Sequence, residues 1–245
     1  MERYQVILAY DGTDFCGFQK QAKARTVQGV VESALRQLGW QGKSLLAAGR
    51  TDTGVHASGQ VIAFDMEWRH STEDLLRAIN ASLPQDIVAR EVHIIGPDFH
   101  PRYDALSRCY QYRLFCDQIR DPLRERFAWR VWPEVEPASL IKAAGYLLGK
   151  HDFAAFGTPP RTGGNTVRNV SLAGWKQERP YLVFEIVAEA FLYHMVRHLV
   201  HLQVMIGQGS QELGIISRYL DGEISSPPVG LAPSNGLVLT KVNYR

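Results

Sequence analysis

Cysteine is scarce in this chain. Cys16, Cys109 and Cys116 are the only three in 245 residues, and their spacing fits neither a zinc ligand set nor a disulfide framework. No apolar run is long enough to cross a bilayer. Met1-Glu2-Arg3-Tyr4 leads straight into a strand pattern without the form of a signal peptide, so the expected location is cytoplasmic. Glycine spacing of the dinucleotide-binding or P-loop kind is missing, as is a nucleophile elbow. These absences lead to an expectation of no metal and no nucleotide cofactor. There is little excess of either charge: the net value of +2 neither demands nor excludes a nucleic-acid partner.

Hydrophobic residues make up 45% of the chain and charged residues 21%, which predicts a packed core in one large domain or two moderate ones. Arg3 to Tyr10 alternates as a strand, with Val6, Leu8 and Tyr10 on one face. Val27 to Leu38 carries a helical stripe, with Thr26 as N-cap and Gly39 as stop. Ser71 to Leu83 reads as a helix ended by Pro84, and Ile87 to Ile95 as a strand. Gly96-Pro97-Asp98 is the best boundary, dividing residues 1–97 from 98–245. Beyond it, Ser107 to Cys116 reads as a strand to which Phe127 to Val131 can pair. A helix runs from Pro137 to near Gly149, then a loop from Gly157 to Asn165. Val167–Trp175 and Tyr181–Ala188 are read as paired strands, Ala190 to Ile206 as a helix, and a further helix starts near Ser210. Leu237 to Tyr244 closes the chain as a strand. The pattern is α+β, with helices on one face of a largely antiparallel sheet.

Between Leu45-Leu46-Ala47 and Val61-Ile62-Ala63-Phe64, two runs that read as short buried strands, lies Ala48-Gly-Arg-Thr-Asp-Thr-Gly-Val-His-Ala57. Gly49 and Gly54 bracket this turn and permit backbone angles closed to other residues. On turn chemistry alone Asp52 has two readings: a local acceptor for backbone N–H groups, or a functional carboxylate on a rigid loop.

The string from Ala48 to Ala57 closely resembles the signature of the TruA family of tRNA pseudouridine synthases. The similarity continues along the chain. Tyr10-Asp11-Gly12-Thr13-Asp14-Phe15-Cys16-Gly17-Phe18-Gln19 resembles the family's opening segment, with Phe18 where Trp is usual, and Thr26-Val27-Gln28 its first helix start. Phe99-His100-Pro101-Arg102-Tyr103 and Arg108-Cys109-Tyr110-Gln111-Tyr112 resemble two central elements, Pro101 and Tyr103 replacing the more typical Ala and Phe. His151-Asp152-Phe153, Arg168-Asn169-Val170, the helix motif Phe191-Leu192-Tyr193-His194-Met195-Val196-Arg197 and the closing Gly236-Leu237-Val238-Leu239 complete it.

The resemblance implies two similar α/β halves sharing a sheet, with a central catalytic cleft, and a homodimer acting on tRNA. It implies isomerisation of uridine to pseudouridine in the anticodon stem–loop, with Asp52 as nucleophile or base after base flipping. It matches Tyr110 to an active-site tyrosine that packs on the target base, Arg197 to a buried basic residue near the catalytic Asp, and Leu237 to an apolar wall of the uracil pocket. Arg50 has three readings: a guanidinium that keeps Asp52 ionised, an occupant of the space the flipped uridine leaves, or half of a structural ion pair. Tyr110 and Leu237 also read as plain core. Arg161 and Arg168 flank the 157–165 loop and are expected to meet RNA phosphates. The Arg102–Arg130 stretch, interleaved with Tyr103, Tyr110, Tyr112 and Trp129, reads equally as an RNA surface or as solvated arginines over core aromatics. His194, Arg197, His198 and His201 fall on one face of the expected helix. His198 and His201 stand where the family often has Asn and Gly. No H-E-x-x-H pattern accompanies them, and Arg197 opposes a metal there, so a basic face is preferred. Two rival functions stay in view: an RNA-binding module without catalysis, which has no need of Asp52, and a hydrolase using Asp52 and His56, which lacks a triad signature.

Overall fold

Tyr4, Val6, Leu8 and Tyr10 are all buried, and the strand they dictate, β1 (Glu2–Tyr10), organises the first part of the chain. In the computed structural model, which describes residues 1–245, ten strands and five α-helices form an α+β architecture. Two compact units emerge: Met1–Leu106 with Val238–Arg245, and Ser107–Leu237.

In the first unit β1 pairs antiparallel with β3 (His56–Met66), from Glu2 opposite Met66 to Tyr10 opposite Ala57. On its other side β1 pairs antiparallel with β4 (Ile87–Ile95). The two-residue β2 (Leu46–Ala47) lies antiparallel on β3. At its start β3 is joined in parallel by β10 (Leu237–Asn243), Val238 facing His56 and Leu239 facing Ala57. The end of the signature string therefore opens a strand flanked by β1 and β10.

Helix α1 (Val27–Gln37) starts where expected: the Thr26 side chain accepts the Gly29 N–H. It ends in a Schellman motif, Gly39 N–H returning to Arg36 and Trp40 N–H to Leu35. Helix α2 (Thr72–Ser82) is held by a capping box between Ser71 and Asp74. It packs on α1 and β4.

The second unit is built on β5 (Ser107–Cys116), β8 (Val167–Glu178) and β9 (Tyr181–Ala188), with β9 antiparallel to both others. β6 (Trp129–Val131) joins β5 in parallel, and β7 (Gly149–Asp152) joins β8. Helix α3 (Pro137–Gly145) packs on α4 (Met195–Gly207) and on β8. Trp175 of β8 donates its indole N–H to the buried Gln203 of α4 at 2.8 Å.

β3 starts at His56, ahead of the expected Val61, and β8 runs past Trp175 to Glu178; three helix boundaries also differ by several residues from the sequence expectation. α3 stops at Gly145 rather than near Gly149, because Leu147 and Leu148 turn back only three residues, to Ala144 and Gly145. α4 starts at Met195 rather than Ala190, because His194 adopts the left-handed conformation at φ 66° and becomes the N-cap. Its carbonyl takes the first helical bond, from His198. The next helix, α5 (Ile215–Leu220), does not start near Ser210: Ser210 and Gln211 N–H both return to Met205 and finish α4.

A buried carboxylate ties the first unit together. Glu32 on α1 is fully buried and accepts from Lys20 Nζ at 2.8 Å, Gln28 Nε2 at 2.9 Å, the Leu45 N–H at 3.3 Å and Arg36 at 3.3 Å. It thereby joins α1 to the chain just before β2. Burial alone pushes this carboxyl up, but Lys20, Gln28 and the Leu45 amide together hold it below the ordinary range. Its contribution to stability is therefore present above the unfolded-state value and lost as pH falls through the folded one. Replacing it with Ala orphans several donors and is expected to cost about 2–4 kcal/mol at pH 7. Urea titration of wild type and Glu32→Ala checks this, and the gap between them should narrow from pH 6 to pH 3.

Candidate active site

The signature loop is held from below by close backbone contacts. A Cβ at Gly12 would lie 2.0 Å from the Val55 carbonyl oxygen, so only glycine lets the two strands' ends meet. The Gly12 N–H donates to His56 Nδ1 at 2.9 Å. A backbone N–H can only donate, so Nδ1 carries a lone pair and the imidazole proton sits on Nε2. Asp11 Oδ1 lies 3.2 Å from the same nitrogen. Phe18 N–H donates to the Thr51 carbonyl at 3.0 Å, and Gly54 N–H to Phe15 at 3.3 Å. Val55 N–H closes a turn onto the Asp52 carbonyl, with Gly54 at φ 76°. Gly49 behaves otherwise than expected: its φ is not positive and an added Cβ would meet nothing. Its carbonyl instead accepts from the buried Gln60 side chain at 3.0 Å.

Side chains complete the support. Tyr10 Oη lies 2.8 Å from Thr51 Oγ1, both residues buried. Burial pushes the Tyr10 phenol up to about 12, with hydrogen bonds from Thr51 and Gln60 opposing, so it stays protonated at neutral pH. On this base the two charged residues differ: Asp52 is half-buried and Arg50 is exposed. The polar residues beneath them, Thr51 and His56, are sealed.

In the second unit Tyr110 and Tyr112 lie two residues apart on one face of β5 but have separate fates. Tyr112 is fully buried and donates to the Pro233 carbonyl at 2.7 Å. Burial pushes its phenol far above the ordinary range, and the Arg197 charge opposes this only in part. Tyr110 stays partly exposed, its ring meeting Phe191 edge-on at 5.0 Å. Arg197 on α4 donates to the Ala232 carbonyl at 2.7 Å, and the Ala232 N–H returns to the Arg197 carbonyl. Leu237 is buried directly after the short 3₁₀ turn Ser234–Gly236, which lies against the Tyr112 ring. The structure thus brings Arg197, Tyr112 and the segment leading to Leu237 together within this unit.

The expected basic face keeps Arg197, His198 and His201, which all lie against residues 230–232, and loses only His194. His194 lies outside the helix, His198 Nδ1 faces the Gly230 carbonyl at 3.1 Å, and His201 stacks on Trp129 at 5.9 Å. Burial pushes both His198 and His201 below the ordinary histidine range. No three His, Cys, Asp or Glu side chains are arranged to hold a metal ion, and no helix is long and apolar enough to cross a membrane.

A family model described as tRNA pseudouridine synthase matches residues 6–104 and 143–245. The chain belongs to the tRNA pseudouridine synthase family. Among its relatives is the tRNA pseudouridine synthase A of Moorella thermoacetica, 38% identical over 98% of each chain. The tRNA pseudouridine synthases A of Pseudothermotoga lettingae, at 38%, and Thermotoga maritima, at 36%, match over the whole of both chains. The resemblance read from the motifs is borne out at the level of family. Arg50, Asp52, Arg197 and Leu237 fall within the residues the family model matches, whereas Tyr110 falls in the intervening 105–142 segment.

Several arginines of the Arg102–Arg130 stretch are engaged locally in this family member. Arg120 and Arg130 approach Glu125, and Arg124 pairs with Asp121 at 3.0 Å. Sequence reasoning missed the roles of Tyr10, Gln60 and Glu32. Polar residues in apolar strands and helices were the only signal, and their partners are remote in sequence.

Arg161 and Arg168 have different environments. Arg161 is exposed in a turn closed by the Gly164 N–H. Arg168 is buried on β8, donates to the Asn165 and Val167 carbonyls, and keeps an Nε without a hydrogen-bond partner. Burial holds its guanidinium below the ordinary arginine range, which the Glu189 and Asp152 charges offset in part. Arg168→Ala is therefore expected to cost about 1–3 kcal/mol, lowering the melting temperature by roughly 5 °C, because buried hydrogen bonds to a charged group are lost. Arg161→Ala should leave the melting temperature unchanged. Thermal denaturation of the two variants checks both.

Proposed function

We propose that this chain isomerises uridine to pseudouridine in the anticodon stem–loop of tRNA, with Asp52 as the catalytic nucleophile or base. Family membership supports isomerisation of tRNA uridine. The observation that carries the finer reading is the signature loop. Its backbone is fixed by Gly12, Phe18, Tyr10 and Gln60, while Asp52 is half-buried and Arg50 exposed. A rigid loop presenting one carboxylate is what proton transfer or nucleophilic attack requires.

The reaction breaks the N1–C1′ bond of the uridine and forms a C5–C1′ bond in the same nucleoside. The C5 proton leaves to solvent, and N1 ends protonated. No electron is gained or lost and no group enters, so the balance asks for no cofactor. One carboxylate serves attack at C6, attack at C1′ or elimination to a glycal. Arg50 is assigned to the flipped nucleotide: extrusion costs a few kcal/mol, which a cation pairing a phosphate offsets in part. Tyr110 is assigned to the target base, Leu237 to the wall of the uracil pocket and Arg197 to charge at the site. Arg161 is assigned to RNA phosphates. Arg168 is assigned to shaping the segment that carries Arg161, given its burial. On the family pattern the protein is a cytoplasmic homodimer.

The test uses tRNA carrying tritium at uridine C5. Wild type should release label, and Asp52→Asn should lower the rate by about 1,000-fold, the scale on which loss of a general base or nucleophile reads out. Its melting temperature and tRNA affinity should stay near wild type. Equal label release by the variant would remove Asp52 from the chemistry.

A further inference from the structure

Tyr193 is 57% exposed, yet its backbone N–H and carbonyl are both hydrogen-bonded. It exchanges two bonds with Thr158, N–H to carbonyl at 3.0 and 3.3 Å. Leu192 before it and Met195 after it are buried. Gly157 lies so close that an added Cβ would stand 2.5 Å from the Tyr193 carbonyl oxygen. The side chain is therefore presented outward from a rigid backbone.

The ring is also backed. His194 stacks on it with centroids 3.7 Å apart and planes at 27°. His194 is the one non-glycine residue of the chain with positive φ, a conformation disfavoured for a side chain with a Cβ. Strained backbone of this kind persists where the surroundings over-determine it, and here it sets the imidazole against the phenol ring. Two residues earlier, Phe191 packs edge-on against Tyr110. Three residues beyond Thr158 comes the exposed Arg161. An outward aromatic ring, rigid and backed by a second ring, two residues from the Phe191 that meets Tyr110 and bridged to Thr158 three residues before an exposed arginine, has the form of a base-stacking platform.

We infer that Tyr193, backed by His194, is a stacking shelf for an unpaired nucleobase adjacent to the target uridine. The inference rests on the RNA substrate proposed above. Once the uridine is extruded its neighbour loses a stacking partner, and a fixed aromatic face replaces that partner without reading base identity. The contact is apolar, so it adds affinity without adding to the salt dependence.

The experiment measures binding and tritium release with an anticodon stem–loop RNA for wild type, Tyr193→Ala and Tyr193→Phe. Two further RNAs carry an abasic residue on the 5′ or the 3′ side of the target uridine. Tyr193→Ala should bind the intact RNA about ten-fold more weakly, within the range seen when one base–aromatic stack is lost. Tyr193→Phe should bind like wild type, and the slope of log Kd against log salt should be the same for all three. With one of the two abasic RNAs the difference between wild type and Tyr193→Ala should vanish, which also identifies the stacked neighbour. Melting temperatures of the variants separate lost stacking from lost fold. Wild-type affinity in Tyr193→Ala, or a ten-fold loss that persists with both abasic RNAs, would overturn the shelf while leaving the isomerase reading intact. A wild type that binds the RNA but releases no label would strike the isomerase reading and leave the shelf to be judged by the binding arms. No RNA binding by wild type would remove both.

Discussion

The Gly12 backbone against the Val55 carbonyl is the contact on which the candidate site depends. It has no room for any side chain, and it brings the Gly12 N–H onto His56. That bond settles the imidazole tautomer and pins the start of β3. Because β3 is flanked there by β1 and β10, the loop before it inherits the stiffness of a sheet rather than the freedom of a surface turn. Asp52 and Arg50 sit on that frame, Asp52 half-buried and Arg50 exposed.

Polar groups inside the units serve the same end. Glu32 gathers donors from α1 and from the chain before β2, and Tyr10, Thr51 and Gln60 line the underside of the loop. Buried polar groups are costly unless paired, so these networks fix one arrangement where an apolar core would tolerate several. In the second unit the carbonyls of Ala232 and Pro233 play a comparable part, taking bonds from Arg197 and Tyr112 and so setting the approach to Leu237.

Much of the fold is legible in the sequence. β1, α1, α2, β4 and β9 follow from apolar periodicity and capping residues, all local physics. The family followed from the ten-residue signature and its companions. Errors occurred where a long-range contact overrides local pattern. Phe191 to His194 has helical composition but is drawn out by the bridge from Tyr193 to Thr158, and α4 starts late as a result. Arg168 reads as a surface cation until β8 places it inside.

The sequence by itself determined the secondary-structure types, the family and the identity of the candidate carboxylate, because periodicity, caps and contiguous motifs act over a few residues. Only the tertiary structure decided which of two tyrosines on β5 is sealed, which of two arginines is accessible, that Gly49 needs no special angle while Gly12 admits no side chain, and that His194 backs Tyr193 instead of joining a helical face. Burial and close approach are set by segments remote along the chain, and nothing in a local string encodes which remote segment will arrive.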